Sequence, residues 1–134
     1  MATRKKHVAK HNGHSVVLMD SISYADKADE GIFAVSASHG GKSSAHIALT
    51  LPIAGAVFND AGVGKDAAGV AGLEMLDAKD IPAMTVSHTS ARIGDVEDAW
   101  EHGVVSRVNS SASKQGFQVG GKVRDQVLAW LEKA

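Results

Sequence analysis

Histidine, carboxylate and cationic side chains gather at three places in this chain, each directly after a short apolar run. The first is Ser38-His39-Gly40-Gly41. The second is Asn59-Asp60-Ala61-Gly62-Val63-Gly64-Lys65-Asp66, and the third is Ser87-His88-Thr89-Ser90-Ala91-Arg92. Histidine titrates near neutrality, so His39 and His88 are candidate acids or bases. Asp60 can partner them, and Lys65 can either pair with a substrate anion or act as a base where burial lowers its pKa. Those four are the candidate catalytic residues.

The remaining members read as a binding set. Ser38, Ser87 and Ser90 supply hydroxyls. Gly40, Gly41, Gly62 and Gly64 let backbone N–H groups approach a ligand closely. A helix that opens at Gly40-Gly41 would favour negative charge at its amino terminus. Asn59 and Asp66 flank the glycines, and the Arg92 fork suits a carboxylate or phosphate. The expected ligand is a small anionic metabolite, a carboxylate or amide. The expected reaction is cofactor-independent acid/base chemistry: hydrolysis, elimination or isomerisation. Structural roles compete at each position. The two glycines can simply make a tight turn, Asp66 can cap a helix, and Arg92 can pair with Asp95 or Glu97.

Standard motifs fail here for physical reasons. Gly64-Lys65 resembles the end of a phosphate-binding P-loop, but Asn59 stands at the first glycine position and anionic Asp66 at the metal-binding hydroxyl. The run Gly62-Val63-Gly64-Lys65-Asp66-Ala67 fits a dinucleotide fingerprint formally. The next apolar run, however, ends in Ser87-His88 where an acidic residue should hold a ribose. There is no G-x-S-x-G elbow. The histidines show no H-x-x-x-H or H-E-x-x-H spacing for a metal. No cofactor is called for.

Composition bounds the rest. The 134 residues suit one domain, and the absence of cysteine excludes a thiol nucleophile and thiolate-held metals. A net charge of −1 and 4% aromatic residues disfavour nucleic acid as the partner. No apolar run approaches a membrane span and no secretory signal opens the chain, so a cytoplasmic location is expected.

Three loops can meet only if the elements beneath them align. Strands are expected at residues 14–19, 31–38, 53–58, 81–86 and 104–108. Helices are expected at 42–50, 66–78, 96–102 and 121–133, with 110–116 as a loop. The link over 21–30 is short for a full crossover helix, and a hairpin or a single helical turn remain alternatives there. Strands alternating with helices indicate an α/β fold. The expectation is a doubly wound, Rossmann-like or flavodoxin-like, mainly parallel sheet of about five strands with helices on both faces. Ligands bind such sheets at the carboxyl edge. Residues 1–13, with Arg4, Lys5, Lys6 and Lys10, are expected to be a flexible basic tail before a single domain at 14–134. Self-association is expected, with the carboxy-terminal helix and Trp130 as one contact. A non-catalytic binding or accessory subunit using the same pocket is the alternative function. Nucleic-acid binding through the basic tail is the third.

Overall fold

The computed structural model describes residues 5–51 and 53–133. Six strands form one sheet: β1 (Lys5–His11), β2 (His14–Met19), β3 (Phe33–His39), β4 (Gly55–Asn59), β5 (Ala83–Val86) and β6 (Val105–Val108). Five helices accompany them: α1 (Lys42–Ala48), α2 (Gly72–Asp77), α3 (Val96–His102), α4 (Ser110–Lys114) and α5 (Val123–Lys133). The α/β class matches the alternation read from the sequence.

The winding differs from expectation. Spatial strand order follows chain order from β1 to β6. β2 to β5 are parallel, whereas β1 and β6 pair antiparallel with their neighbours. A doubly wound sheet reverses its order at a switch point, and this one does not. Parallel crossovers share one hand, so connections that advance in one direction stack on one face. Accordingly Ile22, α1 and α2 bury Val17, Ala34, Phe58 and Ala83 on the same side. Helices α3 and α5, which follow β5, cover Val16, Phe33, Val57 and Met84 on the other. Helices therefore flank both faces, but no switch-point crevice forms among the described strands. Any pocket at the carboxyl edge has to be built by the loops.

The strand count was short by one because Lys5–His11 is a strand, not part of a flexible tail. Asn12 and Gly13, at φ of 49° and 82°, turn the chain back on itself. Two consecutive left-handed residues suit the twist of a two-residue hairpin. Lys5 then reaches two carboxylates of the β2–β3 link, Asp26 at 3.3 Å and the buried Asp29. That link is two single 3₁₀ turns, Ile22–Tyr24 and Lys27–Asp29. Residues 1–4 lie outside the described residues.

Two further expectations are revised. Residues 110–116 hold the short helix α4, with Asn109 accepting the Ala112 N–H as its cap. The helix expected from Asp66 starts later, at Gly72, after an isolated 3₁₀ turn at Lys65–Ala67. Asp66 has a φ of 55° and caps nothing. Trp130 packs within the chain, 4.9 Å from the Phe33 ring and 5.9 Å from His14. No helix among the described residues is long and apolar enough to cross a membrane.

Candidate functional site

Register brings the three clusters to one edge. His39 pairs with Asn59 across β3 and β4, and Asn59 pairs with Val86 across β4 and β5. Their following loops leave the sheet side by side.

Asn59 is the staple of this edge. Its side chain is buried, donates to the Ala91 carbonyl at 2.9 Å and accepts the Ala61 N–H at 2.8 Å. The second and third loops are thereby tied together. Asp60 stands next to it and is 5% exposed. One oxygen, Oδ1, accepts the Gly62 N–H at 2.9 Å and the His88 N–H at 3.0 Å, and lies 3.3 Å from His88 Nδ1. Burial pushes the Asp60 carboxyl up. The Gly62 N–H, the Ser106 hydroxyl and the two His88 N–H groups outweigh it and hold it below its ordinary 3.8. Asp60 is thus an anion across the neutral range. An ionised carboxylate only accepts, so His88 Nδ1 carries the hydrogen and Nε2 is the free nitrogen. The His88 side chain is 56% exposed and its ring lies over Gly62, where an added Cβ would sit 3.6 Å from Cε1.

Arg92 flanks that histidine. Its backbone N–H is held by Asp98 at 2.8 Å, while its guanidinium makes no ion pair or hydrogen bond among the described residues. His88, Thr89, Ser90, Arg92 and Asp98 line a hollow of about 240 Å³. Ser87 and Ser90 face inward in a structural sense. Ser87 Oγ donates to Ser90 Oγ at 2.8 Å, and Ser90 Oγ accepts the Val104 N–H at 2.9 Å. These hydroxyls shape the β5–α3 loop.

The glycines of the first cluster serve the second. A Cβ on Gly40 would lie 2.9 Å from the Gly69 carbonyl oxygen, and one on Gly41 3.0 Å from that of Ala68. The return of the β4–α2 loop fills the space that a ligand was expected to use. Gly69 is tighter still: its Cβ would come within 2.2 Å of the Asp60 carbonyl oxygen. The outer loop holds Gly62 and Gly64 at φ of 75° and 74°, with Ala61 and Val63 also left-handed. Lys65 and Asp66 sit exposed at its tip, and neither side chain is bonded or paired among the described residues. The structure therefore joins Asp60, His88 and Arg92, and leaves Lys65 and Asp66 apart from them.

Ser38 and His39 belong to a second hollow. Ser38 Oγ accepts the Ile22 N–H at 2.9 Å and donates to Ser21 Oγ at 3.3 Å. His39 Nδ1 accepts the Gly41 N–H at 3.1 Å. They line a cavity of about 420 Å³ with Asp20, Ile47 and Ile93. Residues 91–94 separate it from the hollow at His88, pinned by the Gly94 N–H to the Ala37 carbonyl at 3.0 Å. A cavity of about 570 Å³, lined by residues of α2 and β6, contains none of the candidate residues.

Sequence reasoning missed Ser106, Asp98, Gly69 and Asp20. Ser106 acts on Asp60 across a long sequence separation that no local motif encodes, and Asp98 folds back onto the Arg92 N–H only six residues before it. Gly69 had a signal, a further glycine in the same loop. No group of three or more histidines and carboxylates among the described residues is arranged to hold a metal ion. Set against known families, curated proteins and solved structures, the chain matches none.

Proposed function

We propose that the carboxyl edge of this sheet performs cofactor-independent acid/base chemistry on a small carboxylate, with His88 as the proton-transfer group. One observation carries the reading: a buried, ionised Asp60 holds Nδ1 of an exposed histidine, beside an arginine whose fork has no partner among the described residues. Arg92 binds the substrate carboxylate. His88 Nε2 takes a proton from the adjacent carbon, and Asp60 stabilises the imidazolium that forms. Return of that proton to another atom completes an isomerisation, and departure of a leaving group completes an elimination.

Proton abstraction is visible without knowing the product. Small carboxylates incubated with the protein in D₂O should lose the signal of the hydrogen next to the carboxylate. His88→Gln should slow that exchange by about a hundredfold or more. Exchange equal in wild type and variant removes His88 from the chemistry.

A binding-only role is the second reading. The hollow at His88 is about 240 Å³, below the roughly 300 Å³ at which enclosed ligand sites begin. Saturable carboxylate binding with no exchange would support it.

A further inference from the structure

The cavity at Asp20, His39 and Ile93 has a different chemistry from the hollow at His88. No lysine or arginine among the described residues lines it. Its one formal charge is the carboxylate of Asp20, so an anion would meet repulsion there rather than a partner. Yet three groups in its wall retain hydrogen-bonding capacity. Asp20 Oδ1 accepts the N–H of Val96, the first residue of α3, at 3.1 Å, and Oδ2 is unbonded among the described residues. Because His39 Nδ1 accepts the Gly41 N–H, the neutral ring carries its hydrogen on Nε2, a donor on an exposed side chain. Ser43 is exposed at the start of α1, with its hydroxyl unbonded among the described residues. Ser21 and Ser38, by contrast, are already committed to each other and to nearby backbone.

The apolar part is equally specific. Ile93 is 51% exposed, one of few large apolar side chains left in water by this fold. It lines the cavity together with the partly buried Ile47 of α1. Packing within the chain does not account for it. A carboxylate acceptor, two uncharged donors and two isoleucine walls fit a molecule with hydroxyls along one edge and C–H groups on its face. Vicinal hydroxyls can both donate to a carboxylate, and a ring face of C–H groups removes isoleucine surface from water. The volume of about 420 Å³ lies in the ordinary range for a small-molecule site.

We infer that this cavity is a second binding site, for a neutral polyhydroxylated ring such as a monosaccharide or cyclitol. It shares the sheet edge with the hollow at His88 but does not depend on that hollow's function.

Saturation-transfer NMR with methyl α-glucoside and with myo-inositol tests the inference on the full chain. Signal is expected from at least one of them at millimolar concentration, and excess inorganic phosphate should leave it unchanged. Ile93→Glu places a charge at an exposed position without disturbing the core, and should weaken binding about tenfold or more. Asp20→Asn keeps an oxygen for the Val96 N–H, so that contact with α3 is retained, and should weaken binding similarly. His88→Gln should bind as wild type does. The inference is overturned if neither probe shows transfer, if phosphate displaces them, or if Ile93→Glu binds undiminished. Loss of binding in His88→Gln would also overturn it, by assigning the sugar to the other hollow. Failure of D₂O exchange alone leaves this site standing, because the two readings share no test residue whose loss would remove both signals.

Discussion

Oδ1 of Asp60 accepts the backbone N–H of His88 at 3.0 Å and lies 3.3 Å from the same residue's Nδ1. A single buried oxygen thus sets both the place of the β5–α3 loop and the tautomer of its histidine. Removing the charge and removing the acceptor are different experiments, and they separate the structural from the chemical part of this contact.

Asp60→Asn retains an acceptor oxygen but loses the charge. Hydrogen bonds to a charged group are worth about 1.5–3 kcal/mol, against about 1 for neutral ones, so a loss of about 1–2 kcal/mol is expected at neutral pH. The folded carboxyl lies below its ordinary 3.8. Its contribution is therefore full above that value and is lost as pH falls through the folded pKa. Urea unfolding of wild type and Asp60→Asn should differ at pH 7 and converge in strong acid. A constant gap across that range would show that the Asp60 charge does not stabilise the fold.

Asn59→Ala should cost more than its size suggests. It strips the buried Ala91 carbonyl of its partner, a loss of about 1–3 kcal/mol, and also releases the N–H of the exposed Ala61. The same variant should broaden the amide resonances of residues 87–92, since the staple between the loops is gone. Unchanged stability would mean that water replaces the side chain.

Gly69→Ala tests the close approach of the β4–α2 loop. The added carbon would meet the Asp60 carbonyl oxygen at 2.2 Å, whereas one on Gly64 meets nothing within 4 Å. Overpacking of this kind costs about 1–3 kcal/mol. Gly64→Ala carries only the left-handed penalty, about 1 kcal/mol. Thermal unfolding should rank Gly69→Ala as the worse variant, with the His88 resonances shifted in it alone.

Lys5 should stabilise the fold, although it falls in the segment the sequence suggested to be flexible. Burial lowers its pKa, but Asp29 and Asp26 outweigh burial and raise it above the usual 10.5. Its contribution is present below 10.5 and is lost as pH climbs through the folded value. Lys5→Met strands Asp29, which is 1% exposed. A loss of about 1–3 kcal/mol is expected, less than for a fully buried pair because Lys5 stays partly in water. Denaturant unfolding from pH 7 to pH 11 checks both size and sign.

The sequence carried the parallel strands well, because runs such as residues 33–37 and 55–58 are buried on both faces and so read as continuously apolar. That the three clusters lie along one sheet edge also followed from their places after those runs, but their division between two hollows did not. Strand order was not legible: nothing in a single strand tells it which side its successor takes. The β1 hairpin had a local signal in Asn12-Gly13, obscured by the basic residues around it. Residue type pointed to His88 and Asp60, which the structure brings together. It did not show that Gly40 and Gly41 are filled by backbone, nor that the hydroxyls of Ser87 and Ser90 bond to the loop itself. Those facts depend on how the β4–α2 and β5–α3 loops close over the edge.

The proposed site holds one small carboxylate between Arg92 and His88. Titration with acetate, lactate and succinate, followed through the ¹⁵N resonances of the Arg92 guanidinium and the His88 imidazole, tests it most directly. At least one acid is expected to shift both side chains along a common saturating curve, and Arg92→Gln to abolish the response at His88. If no acid moves either resonance, or if His88 responds equally in Arg92→Gln, the two residues do not form a carboxylate site and the proposal is wrong.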